Sequence, residues 1–399
     1  MSDVFTQLVG QPDAVTTLRA AAAAASAVIR GETVGAGAMT HAWLFTGPPG
    51  SGRSVAARSF AAALQCTDPA AGPGCGHCDG CHTTLAGTHP DVRLVVPDGL
   101  SIPVAQMREL VLRSATTPAN GRWQVLLIED ADRLTEAAGN ALLKAVEEPP
   151  DRTIFLLCAP SDHPDDISVT IRSRCRVVPL RQPAADAVSA LLVERDGVDP
   201  KTAAWVAAAA QGHVGRARRL AGDGQARDRR AAVLAVPRQL TGVGACFDAA
   251  AALIEAAEAE AAAAVAETDA AERAALETAL GAGGTGKGAA GAARGIAGQL
   301  KDLEKRQKSR ATRAQRDALD RALLDLAGFY RDVLNARWGG PVSPVHADTA
   351  ALAEAAAQRW TAESTLRRLE SVLACRTAID ANVKPRIAVE AMMLELWRG

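Results

Sequence analysis

The chain has 399 residues and is nearly balanced in charge, with 44 Lys and Arg against 45 Asp and Glu and a pI of about 6.7. That length implies two or three domains with separate cores, and the balance excludes a chain-wide basic field for nucleic acid. Aromatic residues are only 3% of the total, so the cores must be filled by Leu, Val, Ile and Ala, a composition that favours closely packed helices.

The N-terminus has no cationic stretch followed by a long apolar run, and the alanines from Ala20 to Ala25 are too few to span a bilayer. A soluble, cytoplasmic chain is expected. Apolar strand-like runs follow at 42 to 46, Val92 to Val96, Val125 to Ile128, Ile154 to Cys158 and Val177 to Leu180, with helical stretches between them. This alternation predicts an α/β domain over residues 1–180, a parallel sheet covered by helices. Residues 181–228 carry short helix signals and predict a small helical lid. Residues 229–399 read as helical almost throughout, with an acidic, alanine-rich stretch from Ala250 to Leu280 and a basic one from Lys301 to Arg321. Acids interleave in the basic run, so a solvated helix face is expected there rather than a phosphate-contacting one.

Between the strand at 42 to 46 and the helical stretch Val55 to Ala61 lies Gly47-Pro48-Pro49-Gly50-Ser51-Gly52-Arg53-Ser54. Strand, glycine loop and helix form the context of a phosphate-binding loop, in which glycines let successive N–H groups converge on a phosphate at a helix N-terminus. Ser54 stands where such loops hold magnesium. Arg53 stands where lysine reaches the outer phosphates; a planar, bulkier guanidinium does not substitute for that point charge. The loop is therefore expected to bind ATP or ADP with Mg2+, if at all, with poor turnover. A second glycine-rich stretch, Gly281 to Gly288, keeps a lysine but lacks both a preceding strand and the magnesium-binding hydroxyl. With the residues up to Gly298 it reads as a flexible connection.

Glu129 and Asp130 end the strand at Val125 to Ile128, where an ATPase presents one acid to magnesium and another to the attacking water. Here the order is Glu then Asp. The shorter second acid falls about 1 Å short, a loss on the order of a hundredfold in rate. Alternatively the two acids only cap the helix starting near Thr135.

Cys66, Cys75, Cys78 and Cys81 fall within sixteen positions of a chain with no secretion signal. Such spacing in a cytosolic protein favours a closed, structural Zn2+ site over disulfides, with His77, His82 or His89 near enough to replace a thiol. Cys158, Cys175, Cys246 and Cys375 are isolated and expected to be small core residues.

Val9-Gly10-Gln11, the glycine loop, the cysteine cluster, Asn140 to Lys144 followed by Glu147-Glu148-Pro149-Pro150, and Ser173-Arg174-Cys175 together resemble the clamp loader of bacterial DNA polymerase III, an AAA+ family. The resemblance covers residues 1 to about 225 well, and the rest loosely, through Asn382 to Leu396. Arg53, the exchanged acids, Ala159-Pro160 in place of a polar sensor and Gly215 in place of a sensor arginine look like its delta-prime kind rather than the gamma or tau motors. The resemblance implies a helical C-terminal collar and a five-membered ring with gamma/tau and delta subunits that loads a sliding clamp on primer-template DNA, with no membrane. It further implies that Arg174 acts as a finger on a neighbour's nucleotide, while the chain's own ATPase is weak or absent. Two other functions stay open: an active AAA+ motor, and a zinc-dependent DNA-binding module with a vestigial loop.

Overall fold

Ala42–Thr46 (β1) is buried along its whole length because it runs through the middle of a sheet covered on both faces. The computed structural model describes residues 3–68, 72–119, 122–279, 289–340 and 342–399. The described residues divide into two compact units, up to Arg218 and from Arg219 on.

In the first unit, α1 (Pro12–Ile29) precedes β1, and α2 (Arg53–Leu64) and the short α3 (Asp79–Leu85) follow it. Then come β2 (Val92–Val95), α4 (Val104–Ser114), β3 (Gln124–Ile128), α5 (Glu136–Glu147), β4 (Thr153–Ala159), α6 (Val169–Arg172) and β5 (Arg176–Pro179). All strand pairs are parallel and the order is β2-β3-β4-β1-β5. This is the expected α/β module, with strands within a residue or two of the apolar runs. Strand alternation splits the core: Trp43, Phe45, Leu127 and Leu156 pack with α1 and α2, whereas Leu44, Leu126, Phe155 and Leu157 pack with α4 and α5. Register aligns Thr46 with Ala159 and Ile128 with Leu157, so the segments leaving β1, β3 and β4 emerge at one carboxyl edge.

Beyond β5 the first unit continues with α7 (Ala185–Glu194), α8 (Pro200–Ala209) and the start of α9 (Val214–Gly222), with no strand among the described residues there. The second unit is helical: α10 (Gly224–Gln239), α11 (Val243–Ala279), α12 (Ala289–Trp338), α13 (Ala350–Arg359), α14 (Ala362–Asp380) and α15 (Pro385–Arg398). Leu319, Leu323, Leu326, Tyr330, Val372 and Met393 form its core.

Two expectations change. The connection read over Gly281 to Gly298 lies outside the described residues as far as Gly288; from Ala289 it is helical, the start of a 50-residue helix. The basic run is not a uniformly solvated face. Arg310 pairs with Asp269 and Glu272 of α11, both at 2.8 Å, and Arg321 with Glu260 at 2.6 Å. Antiparallel pairing sets the basic stretch of α12 against the acidic stretch of α11, and burying the helix contact brings the opposite charges together. No helix among the described residues is long and apolar enough to cross a membrane.

Candidate functional site

The glycine loop leaves β1 at the carboxyl edge of the sheet. Gly50 and Gly52 take φ of 86° and 90°, and Gly52 caps α2 in the left-handed conformation. This backbone favours glycine and leads the loop into the positive, N-terminal end of α2. Gly47 N donates to Pro160 O at 3.0 Å, so the segment after β4 anchors the loop through its backbone. Ser51 is buried, and its Oγ has no hydrogen-bond partner among the described residues. That orphaned hydroxyl and the glycine turns fit a phosphate. Ser54 is half-buried in the first turn of α2, and Pro48 accepts from Ser51 N at 3.0 Å.

The side chains around this cradle fit a phosphate less well. Arg53 folds back, its Nη1 donating to Gly47 O. Glu129 is bonded by Arg58 of α2 and is only 15% exposed, while Asp130 holds the left-handed φ of 52°. Thr135, not either acid, caps α5, accepting from Ala138 N at 3.3 Å. His213, from the turn before α9, lies directly on the loop: a Cβ on Gly50 would sit 2.7 Å from the His213 Cβ. Sequence reasoning missed this contact because no local pattern joins positions so far apart. It also missed Asp132, whose carboxyl is pushed up by burial and by Asp130, and which lies within electrostatic reach of Arg53. Gln11 ties the site together. Its Nε2 donates to Ser51 O at 3.3 Å and Arg181 O at 2.5 Å, and its Oε1 accepts from Arg181 N at 3.1 Å.

The four cysteines converge after α2 and at the start of α3. Each offers its sulfur within 4.8 Å of the others, and Cys66 and Cys78 sulfurs are 3.8 Å apart. Tetrahedral thiolates at about 2.3 Å from zinc would lie about 3.8 Å from one another, so the set fits a metal ion. Gly80 has no room for a side chain, because its Cα faces Gln65 O where α3 folds over the end of α2. The hydrogen bond with Cys81 draws the Cys66 thiol down to about 4 and pushes Cys81 up. The sulfurs thus share protons that a cation would displace. Arg122, half-buried and bonded to Leu64 O at 3.1 Å, lies within electrostatic reach of Cys66, Cys78 and Cys81 and would offset thiolate charge. Among the described residues, His77 is the one histidine that groups with a cluster ligand, alongside Asp68 and Cys75 and bonded to Asp68 at 3.0 Å. His89 is buried and accepts from Asp91 N at 3.1 Å. Cys158, Cys246 and Cys375 are buried as expected, but Cys175 is only partly so.

Arg174 follows α6, which Ser168 caps through Ile171 N at 3.4 Å. Three arginines in a row of five behave differently. Arg172 pairs with Asp162 at 2.6 Å, and Arg176 lies over the Trp43 ring at 5.1 Å. The Arg174 side chain is 36% exposed and pairs with Glu147 at 2.6 Å. The structure therefore brings the glycine loop and the Glu129-Asp130 pair to one edge and the four cysteines to another place, with Arg174 on a separate exposed turn.

The family described as DNA polymerase III, delta subunit, matches residues 28–184. A DNA polymerase III subunit delta' of Pseudomonas aeruginosa is 41% identical over 137 residues, 34% of this chain and 41% of that protein. One of Bacillus subtilis is 36% identical over 169 residues, 42% of this chain and 50% of that protein. A gamma/tau subunit of Mycobacterium tuberculosis is 37% identical over 168 residues, 41% of this chain and 28% of that protein. The matches span half the length of these relatives or less. Residues 28–184 are therefore similar to the family described as DNA polymerase III, delta subunit, and to proteins named DNA polymerase III subunit delta'.

Proposed function

We propose that the chain is a clamp-loader subunit that assembles with gamma/tau and delta subunits in a five-membered ring and lends Arg174 to the nucleotide of an adjacent motor. Residues 181–228 would serve as the lid and 229–399 as the collar that holds the ring. The ring would load a sliding clamp on primer-template DNA. The cysteine cluster would hold a structural Zn2+ through Cys66, Cys75, Cys78 and Cys81. The 47–54 loop would accept at most a resting nucleotide with Mg2+, at Gly47 to Ser54, Glu129 and Asp130.

The observation that carries this is the contrast between two arginines. Arg53, in the loop, is turned onto its own Gly47 O, whereas Arg174 sits on an exposed turn, 36% exposed and paired with Glu147. A guanidinium supplied across a subunit boundary neutralises charge developing on a transferred phosphoryl group. The complete glycine cradle and the identity to a gamma/tau subunit favour a second function, an ATPase in its own right.

Reconstituting the loader with Arg174→Ala decides between them. DNA-stimulated ATP turnover is expected to fall on the order of a thousandfold with assembly intact, and the purified chain alone to hydrolyse almost no ATP. Wild-type turnover in that loader, or brisk hydrolysis by the lone chain that Ser54→Ala abolishes, would overturn the proposal in favour of the motor.

A further inference from the structure

An exposed arginine on a short turn has no fixed direction unless something holds its head. Arg174 is held by three acceptors. Its Nη2 pairs with Glu147 Oε1 at 2.6 Å, and its Nη1 donates to Thr170 O at 2.8 Å and Ser173 Oγ at 3.2 Å. Thr170 and Ser173 are neighbours in sequence and move with the turn. Glu147 does not: it is the last residue of α5, a helix whose Leu142 and Val146 are buried beneath the sheet.

The other arginines of the turn do not compete for this carboxylate, since Arg172 is taken by Asp162 and Arg176 by the Trp43 ring. A guanidinium is planar and carries five N–H donors, so anchoring two nitrogens on one side fixes the plane and leaves the remaining donors facing away. An ionised acceptor holds it with a shorter, stronger hydrogen bond than a neutral one. The pair is half-exposed in the lone chain, where such contacts add little to stability, so its removal leaves the fold intact.

We propose that Glu147 is the positioning residue for Arg174: it anchors the guanidinium to α5 so that its free donors point outward to an anionic group on an adjoining subunit. The proposal rests on Arg174 acting in trans, as argued above.

A double-mutant cycle in the reconstituted loader tests it, with DNA-stimulated ATP turnover and the KM for ATP measured for Arg174→Ala, Glu147→Ala, both together, and Glu147→Gln. Misplacing a catalytic group by a fraction of an ångström lowers kcat on the order of tenfold. Glu147→Ala is expected to do so with KM unchanged, to add nothing in the Arg174→Ala background, and to be rescued to within about threefold by Glu147→Gln, which keeps the acceptor oxygen. Size-exclusion chromatography should show every variant entering the complex. If Arg174→Ala lowers turnover but Glu147→Ala leaves kcat unchanged or raised, or lowers it equally without Arg174, the positioning role is overturned and the finger stands. Full turnover in Arg174→Ala overturns the finger and, with it, the positioning role.

Discussion

Arg58 donates to one oxygen of Glu129 from two nitrogens, Nη2 at 2.9 Å and Nε at 3.2 Å. The helix that begins at the glycine loop thus neutralises the acid at the end of β3. A divalent cation approaching Glu129 meets a carboxylate already paired, and a phosphate approaching the loop meets an arginine already bonded to Gly47 O. Arg53 and Glu129 are thus both engaged by groups of the chain itself.

Replacing Arg53 with Lys removes the fork that reaches Gly47 O and leaves a compact ammonium at the start of α2. Affinity for ADP, measured by calorimetry, is expected to rise about tenfold, the effect of one added charge-assisted hydrogen bond. Hydrolysis is expected to stay low, since Asp130 is one methylene shorter than a Glu at that position. Equal affinities for the two proteins would show that Arg53 does not limit the loop.

Elemental analysis of protein purified without chelator is expected to find one zinc per chain. Cys81→Ser, at a fully buried sulfur, should lose the metal and several kcal/mol of stability in the first unit. Metal binding should weaken as pH falls, because protons compete for the thiolates. Identical melting with and without a strong chelator would argue against a structural metal.

Glu260 of α11 pairs with Arg219 at 2.6 Å, Arg321 at 2.6 Å and Arg229 at 3.1 Å, with 12% of its side chain exposed. Burial opposes its charge, but the three guanidinium groups outweigh that and hold its carboxyl below the ordinary value of 4.5. A depressed folded-state pKa contributes stability above the unfolded value, and that contribution is lost as pH drops through the folded one. Glu260→Gln should therefore cost about 1–2 kcal/mol at pH 7 and nothing near pH 3, read from urea midpoints. A constant difference across that range would assign the cost to packing instead.

Arg230 is 4% exposed, bonded to Asp348 at 2.6 and 2.8 Å and to His346 Nδ1 at 2.9 Å. His346 is fully buried; its backbone N and that of Val345 donate to Asp332 at 2.8 and 2.9 Å. Removing one partner strands the others, so Arg230→Ala is expected to destabilise the second unit by about 3–5 kcal/mol in denaturant titration. A change below 1 kcal/mol would mean that water readily replaces the guanidinium.

The strands, the glycine loop, the acids after β3 and the cysteine cluster were legible because each is a short pattern with a local cause. Apolar runs of five residues find a sheet, glycines make turns, and closely spaced thiols meet. The pairing of α11 with α12 was half legible, as one acidic and one basic stretch, but the register that joins Arg310 to Asp269 and Glu272 depends on how two long helices pack. The helix starting at Ala289 ran against a glycine-rich composition that argues for a connection.

By itself the sequence determined which chemistry-bearing residues exist and which local elements carry them, since propensity, periodicity and spacing act over a few residues. Only the tertiary structure decided their state. Whether Arg53 faces a phosphate or its own loop, whether Arg58 or a metal meets Glu129, what rests on Gly50 and what holds Arg174 depend on side chains brought together from distant positions. Such contacts form through packing, which no local pattern encodes.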